Sequence, residues 1–186
     1  MSIDKSLLKK FTLLYVEDDD VIRVELSQLL TNFFSMVHVA KNGKEGLRTF
    51  LENQDEIDLI LTDLNMPELS GIEMIKKIRT LDNKIPIIFA TAHSDSDFLA
   101  EAIKLRVQEY IVKPIDTTVL VKKITEVCEK NFFEMELQDK QKEFQKYLDA
   151  VDSVALIYKM DENGVISFAN KSLLLASKYT LEELKS

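Results

Sequence analysis

The stretch LTDLNMPELSG, Leu61 to Gly71, decides the fold. It closes the apolar run Ile57 to Thr62 with an acid, Asp63, and then sets Pro67 and Gly71 four and eight residues further on. A short apolar run ahead of turn-forming residues reads as a strand buried on both faces. Ile72 to Leu81 follows it at helical spacing. Outward from this unit the same alternation repeats. Phe11–Val16, Met36–Ala40, Ile85–Thr91 and Glu109–Val112 read as further short strands. Between them, Val21, Val24, Leu29, Leu30 and Phe33 recur at helical spacing, as do residues 41–54 and Phe98 to Leu105. Strands alternating with helices, the central ones apolar on both faces, predict an α/β fold with a parallel sheet covered on both sides.

Bulk composition narrows the class. The chain has 186 residues, 46% of them hydrophobic, enough for one domain and part of another. Its net charge of −8 is a poor match to nucleic acid. No run of about 18 apolar residues predicts a membrane span, and Met1–Lys10 lacks the apolar core of a signal peptide. A single cysteine, Cys128, excludes an intramolecular disulfide and sits at helical spacing with Ile124, as a packing residue does. The chain reads as soluble and cytoplasmic.

Open parallel sheets place their sites beyond the carboxyl ends of the strands. There the first strand runs into Glu17 and Asp18, the third into Asp63, the fourth ends in Thr91 and the fifth runs into Lys113. Three carboxylates, a hydroxyl and an ammonium therefore converge on one rim. Carboxylates so placed repel one another and raise their own pKa values. A hard divalent cation such as Mg²⁺ relieves that repulsion and takes oxygen ligands. Taken singly, an acidic run at a helix start is ordinary dipole placement, and Asp63 fits a turn cap. Their joint arrival with Thr91 and Lys113 points to a site.

Four motifs in order carry a resemblance: the acidic pair Glu17–Asp18, D-x-x-M-P-x-x-x-G from Asp63 to Gly71, T-A at Thr91–Ala92, and Y-x-x-K-P from Tyr110 to Pro114. With them, residues 8–129 resemble the receiver domain of bacterial response regulators. The resemblance implies a flavodoxin-like (βα)5 sheet in the strand order 2-1-3-4-5 known for receivers. It implies Asp63 as phosphoacceptor, with Lys113 and Thr91 beside the phosphoryl group. Asp18, Asp63 and the backbone carbonyl of Asn65 become ligands of Mg²⁺, and Glu17 acts through metal-bound water. Thr91 and Tyr110 form the switch pair, and the Lys113–Pro114 bond is cis. His93, two residues past Thr91, reads either as an influence on the lifetime of the acyl phosphate or, equally, as a solvated residue, whereas His38 reads as a plain sheet or loop residue. The implied partner is a histidine kinase or phosphotransfer protein.

Beyond the receiver, Asp116 to Ala150 contains neither Pro nor Gly. Phe133, Leu137, Phe144, Tyr147 and Val151 fall on heptad a and d positions, interrupted by Lys130 and Lys140. Residues 130–150 thus read as a helical coiled-coil linker that predicts a parallel homodimer, the alternative being a lone amphipathic helix packed on its own chain. Residues 151–186 resemble the start of a PAS domain. There IYKMDENGVISFAN predicts two strands about a turn, Asn170 a helix cap, and Thr180 with Glu183 a capping box. Lys178 replaces the usual glycine, and a PAS fold needs roughly 60 residues more, so no PAS cofactor is expected. The expected function is a phosphorylation-dependent switch relaying through the long helix. The chain itself is not expected to be an enzyme, although an output such as a diguanylate cyclase or kinase fits beyond residue 186. The alternatives are a receiver-like docking module and a Mg²⁺-dependent phosphatase. The latter lacks its second acid, because Asn65 stands two residues after Asp63.

Overall fold

A computed structural model describes residues 5–92 and 101–184 of the chain. Elements run α1 (Lys5–Leu8), β1 (Thr12–Val16), α2 (Asp20–Thr31), β2 (Met36–Ala40), α3 (Gly43–Glu52), β3 (Leu59–Asp63), α4 (Gly71–Arg79), β4 (Ile87–Thr91), β5 (Glu109–Val112) and α5 (Thr117–Val154). Then come β6 (Tyr158–Met160), β7 (Ile166–Ala169), α6 (Lys171–Ser177) and α7 (Leu181–Leu184). Residues 101–104 are helical, which agrees with the end of the helix expected over Phe98–Leu105; Phe98 to Ala100, like His93, lie outside the described residues. The chain divides into two compact units, Met1–Phe132 and Phe133–Ser186.

In the first unit β1 to β5 form one parallel sheet in the order β2-β1-β3-β4-β5. Every residue of β3 and β4 is buried, as apolar runs covered on both faces require. Side chains alternate across the sheet. Leu13, Tyr15, Leu59, Leu61, Ile88 and Ile111 pack with Leu26 and Leu30 of α2 and Leu120, Ile124 and Cys128 of α5. On the other face Leu14, Val16, Ile60, Ile87 and Phe89 meet Phe50 of α3 and Met74, Ile75 and Ile78 of α4. The face of α2 matches the expected one only in part: Leu30 is buried and Leu29 and Phe33 pack against the core, but the first two expected positions do not. Val21 and Val24 are 65% and 52% exposed, while Leu26 and Leu30, one turn apart, seat the helix. The short α1, absent from the sequence expectation, brings Leu8 fully into the core.

The helix predicted without a breaker is one helix of 38 residues, Thr117–Val154, started by Asp116, whose side chain accepts from the amides of Thr118 and Val119. Its buried residues all lie between Leu120 and Cys128. In the second unit β6 and β7 pair antiparallel about a turn. There Asp161 accepts from the amides of Asn163 and Val165, and Gly164 takes a left-handed φ of 85°. Asn170 caps α6 by accepting from Leu173 N, and Thr180 and Glu183 form the reciprocal box at α7. Among the described residues no helix is long and apolar enough to cross a membrane.

Burial pushes the Cys128 thiol up to about 12, with the charges of Asp58 and Glu129 acting in the same direction. At pH 8 about one thiol in 10⁴ is then thiolate, against about one in four for an ordinary cysteine, and the thiolate is the reactive form. Ellman's reagent at pH 8 is expected to label Cys128 in the folded chain at least about 100-fold more slowly than in urea. Equal rates would contradict the buried position.

Candidate functional site

Parallel strands end on the same side, so the rim predicted from sequence is built by the ladder itself. Asp63 is the last residue of β3 and Thr91 the last of β4. The pairing continues past the strand ends: Glu17 N donates to Ala40 O at 3.1 Å, Leu64 N to Ala90 O at 3.0 Å and Lys113 N to Thr91 O at 2.8 Å. These bonds fix the backbone of each site residue before any side chain acts. Lys113 also precedes a cis bond to Pro114, as the resemblance implied.

The side chains then meet. Lys113 Nζ donates to Glu17 Oε1 at 2.8 Å, to Glu17 Oε2 at 3.0 Å and to Asp63 Oδ2 at 2.6 Å. The side chain of Glu17 is fully buried, and the side chains of Asp63 and Lys113 are 10% and 17% exposed. Burial raises the Glu17 carboxyl above its ordinary range, against the pull of the Lys113 ammonium. Burial alone would lower Lys113, but its hydrogen bonds to Asp63 and Glu17 outweigh this and hold the ammonium above the usual lysine range. One carboxylate oxygen each from Glu17, Asp18 and Asp63 lies within 4.8 Å of the others. Asp18 is exposed, so the cluster opens to solvent on that side. An all-oxygen, anionic donor set of this kind fits a hard divalent cation.

Two loops shape the approach. Gly71 N donates to Leu64 O at 2.9 Å, and a Cβ on Gly71 would stand 2.1 Å from the Asp63 carbonyl oxygen. Only glycine lets α4 start against the strand that carries Asp63. Asn65 N approaches Asp63 Oδ1 at 3.3 Å. Further along, Glu68 takes a left-handed φ of 66° and its carboxylate accepts from Asn42 Nδ2 at 2.8 Å. Asn42 also caps α3 through Glu45 N. The loop after Asp63 is thereby tied to the loop after β2.

Glu17, Asp18, Asp63 and Lys113 are thus brought together as expected. Thr91 is fully buried on the neighbouring strand. Tyr110 lies on β5, beside Phe89 of β4, and is 40% exposed. Above its ring, 5.4 Å from the centroid, sits Lys123 Nζ, which also donates to Tyr110 O at 3.0 Å and Glu109 Oε2 at 2.6 Å. His38 is a half-buried β2 residue whose Nε2 has no hydrogen-bond partner among the described residues. Sequence reasoning missed Arg23. Its Nη1 donates to Glu17 O at 2.9 Å and Asp18 O at 3.1 Å, and its Nη2 pairs with Asp20. The available signal was an arginine one helical turn after the acidic run.

Comparison with known proteins bears on most of this unit. The family model described as response regulator receiver domain matches residues 13–125. Over 102 residues, 54% of this chain and 23% of the relative, it is 37% identical to the transcriptional regulatory protein ZraR of Klebsiella oxytoca. Over 116 residues, 62% of this chain and 50% of the relative, it is 35% identical to AfsQ1 of Streptomyces coelicolor. A response regulator receiver domain protein from Clostridium thermocellum superposes with a TM-score of 0.60 at 28% identity, covering 69% of this chain and 98% of that one. The chain therefore spans half or less of the length of these two curated relatives.

Proposed function

Because the chain belongs to the response regulator receiver family, and receivers of two-component systems interact with histidine kinases or phosphotransfer proteins, we propose that Asp63 is its phosphoacceptor. The observation that carries this is the Lys113 ammonium held between Asp63 and Glu17 in an otherwise acidic pocket. In the proposed step a carboxylate oxygen of Asp63 attacks the phosphorus of a donor phosphohistidine or small acyl phosphate. A P–O bond to Asp63 forms as the donor's P–N or P–O bond breaks, and the electron pair leaves with the donor. Lys113 keeps its proton and transfers its hydrogen bonds from the carboxylates to the phosphoryl oxygens as charge builds there. The Thr91 hydroxyl donates to a phosphoryl oxygen.

Glu17, Asp18, Asp63 and the Asn65 carbonyl are the groups that would hold Mg²⁺, with Glu17 acting through water. When bound, the cation neutralises phosphoryl charge and steadies the acids. On this reading the inward shift of Thr91 frees space for Tyr110, which turns in from beneath Lys123. A ligand or modification acts only by favouring one of two states of an element it touches. Here that element is the β5–α5 region, and α5 continues from it as one helix.

The finer organisation belongs to the same reading: a receiver over 8–129, a helical linker over 130–150 and the beginning of a PAS domain over 151–186. A hairpin, a capped helix and a capping box follow one another there. Along α5, Phe133, Leu137, Phe144 and Tyr147 are 60% to 64% exposed at heptad spacing. Such a stripe supports a parallel dimer through these residues, and the receiver acts on the downstream module by altering that pairing. The setting is cytoplasmic, with no nucleic acid bound by this part of the chain.

Two measurements test the proposal. Incubated with Mg²⁺ and acetyl phosphate, the chain should gain one phosphoryl group by intact mass. Asp63→Asn, which keeps size and hydrogen bonding but removes the nucleophile, should gain none; equal uptake by the variant sinks the assignment. Separately, cysteine placed at Leu137 should cross-link two copies, with a yield that changes when beryllofluoride mimics the phosphoryl group. A monomer under both conditions would refute the paired helix, and an unchanged dimer yield would remove it from the signal path.

A further inference from the structure

Behind the acidic pocket lies a second cation that the proposed chemistry does not use. The chain leaves β1 at Val16 and begins α2 at Asp20, so Glu17, Asp18 and Asp19 make the whole connection. Asp19 is committed to the helix, accepting from Val21 N and Ile22 N. The carbonyls of Glu17 and Asp18 both accept from Arg23 Nη1, at 2.9 and 3.1 Å, while Nη2 takes the Asp20 carboxylate. Arg23 is itself tied to the turn by its amide, which donates to Asp19 O at 2.8 Å. Its side chain is only 16% exposed.

We propose that Arg23 is a positioning residue of the cation site: its guanidinium fork fixes the backbone of the Glu17–Asp18 turn so that both carboxylates face Asp63. The proposal rests on the reading of Glu17, Asp18 and Asp63 as the cation pocket. The turn needs such a brace because the carboxylates it carries repel each other and Asp63 across a few ångströms. Lys113 relieves that repulsion from within the pocket, by touching Glu17 and Asp63 directly. Arg23 acts from outside it, through two carbonyls and without touching the carboxylates of Glu17, Asp18 or Asp63.

Charge and geometry here have opposite signs, which makes the role testable. A fixed positive charge beside a cation site repels the cation, so an arginine acting through charge alone would weaken binding and its removal would tighten it. An arginine acting through geometry strengthens binding, and its removal loosens it. Lysine separates the two, because a single ammonium keeps the charge but cannot reproduce a planar fork serving two carbonyls and a carboxylate.

Calorimetric titration of Mg²⁺ into the metal-stripped full chain reads this without turnover. Arg23→Lys is expected to raise the Mg²⁺ dissociation constant about tenfold, as losses of outer ligand-orienting groups do. Arg23→Gln should also weaken binding, though less, since the repulsion is lost with the fork. Arg23→Lys binding Mg²⁺ like the parent, or Arg23→Gln binding it more tightly, would overturn the proposal. So would a lower melting temperature of the metal-free variants with an unchanged dissociation constant, the mark of a purely structural arginine. Should Arg23→Lys not fold, the direction of the change in Arg23→Gln decides. Asp18→Asn serves as the control: if it binds Mg²⁺ unchanged, the cation pocket itself is misassigned, a failure separate from that of Arg23.

Discussion

One ammonium holds the rim together. Lys113 reaches Glu17 across 96 residues of sequence and Asp63 across 50, and it touches both carboxylates at hydrogen-bond distance. Solvent screens neither charge well, since Glu17 is fully buried and Asp63 nearly so. Breaking a buried pair by removing one partner leaves an unpaired charge and costs about 3–5 kcal/mol. The parallel sheet is what makes the contact possible. Its ladder extends beyond the strands through Glu17 N, Leu64 N and Lys113 N, so the side chains leave the sheet from adjacent and fixed points.

Around that contact the structure divides its labour. Inside the pocket the single ammonium of Lys113 divides its hydrogen bonds between the carboxylates of Glu17 and Asp63. Outside it, backbone devices hold the loops. Gly71 admits the start of α4 against the Asp63 carbonyl, and Asn42 secures Glu68 in a left-handed backbone that a residue with a side chain adopts only at some cost. On the far side of β5, Tyr110 faces outward under Lys123 of α5. The ring that the proposed switch would turn is thus already in contact with the helix that leaves the domain.

Much of this was legible in the sequence, and for a definite reason. Strands buried on both faces write themselves as apolar runs, and a parallel sheet puts the residue after each run at one rim. Asp63, Thr91, Lys113 and the Glu17–Asp18 pair could be assembled from that rule alone. Asn170, Thr180 and Glu183 were legible too, because a cap acts within three residues of itself. Three features were not. Val21 and Val24 match the helical period as well as Leu26 does, and only the seat of α2 on the sheet decides that Leu26 is buried and the two valines are not. Arg23 acts through main-chain carbonyls, which every residue possesses, so no partner residue type announces it. The contact of Lys123 with Tyr110 depends on how α5 lies beside β5, a tertiary fact without a local signature.

If Lys113 is the resting counter-ion of the pocket, it and a divalent cation compete for the same carboxylates. Replacing it with methionine should therefore destabilise the metal-free chain while strengthening the response to metal. The direct measurement is the melting temperature of the parent and of Lys113→Met at pH 7.5, each with and without saturating Mg²⁺. The account predicts a lower melting temperature for the metal-free variant and a larger Mg²⁺-induced rise than in the parent, because the cation then neutralises acids that nothing else pairs. Equal melting temperatures without metal, or a smaller rise with it, would contradict the account.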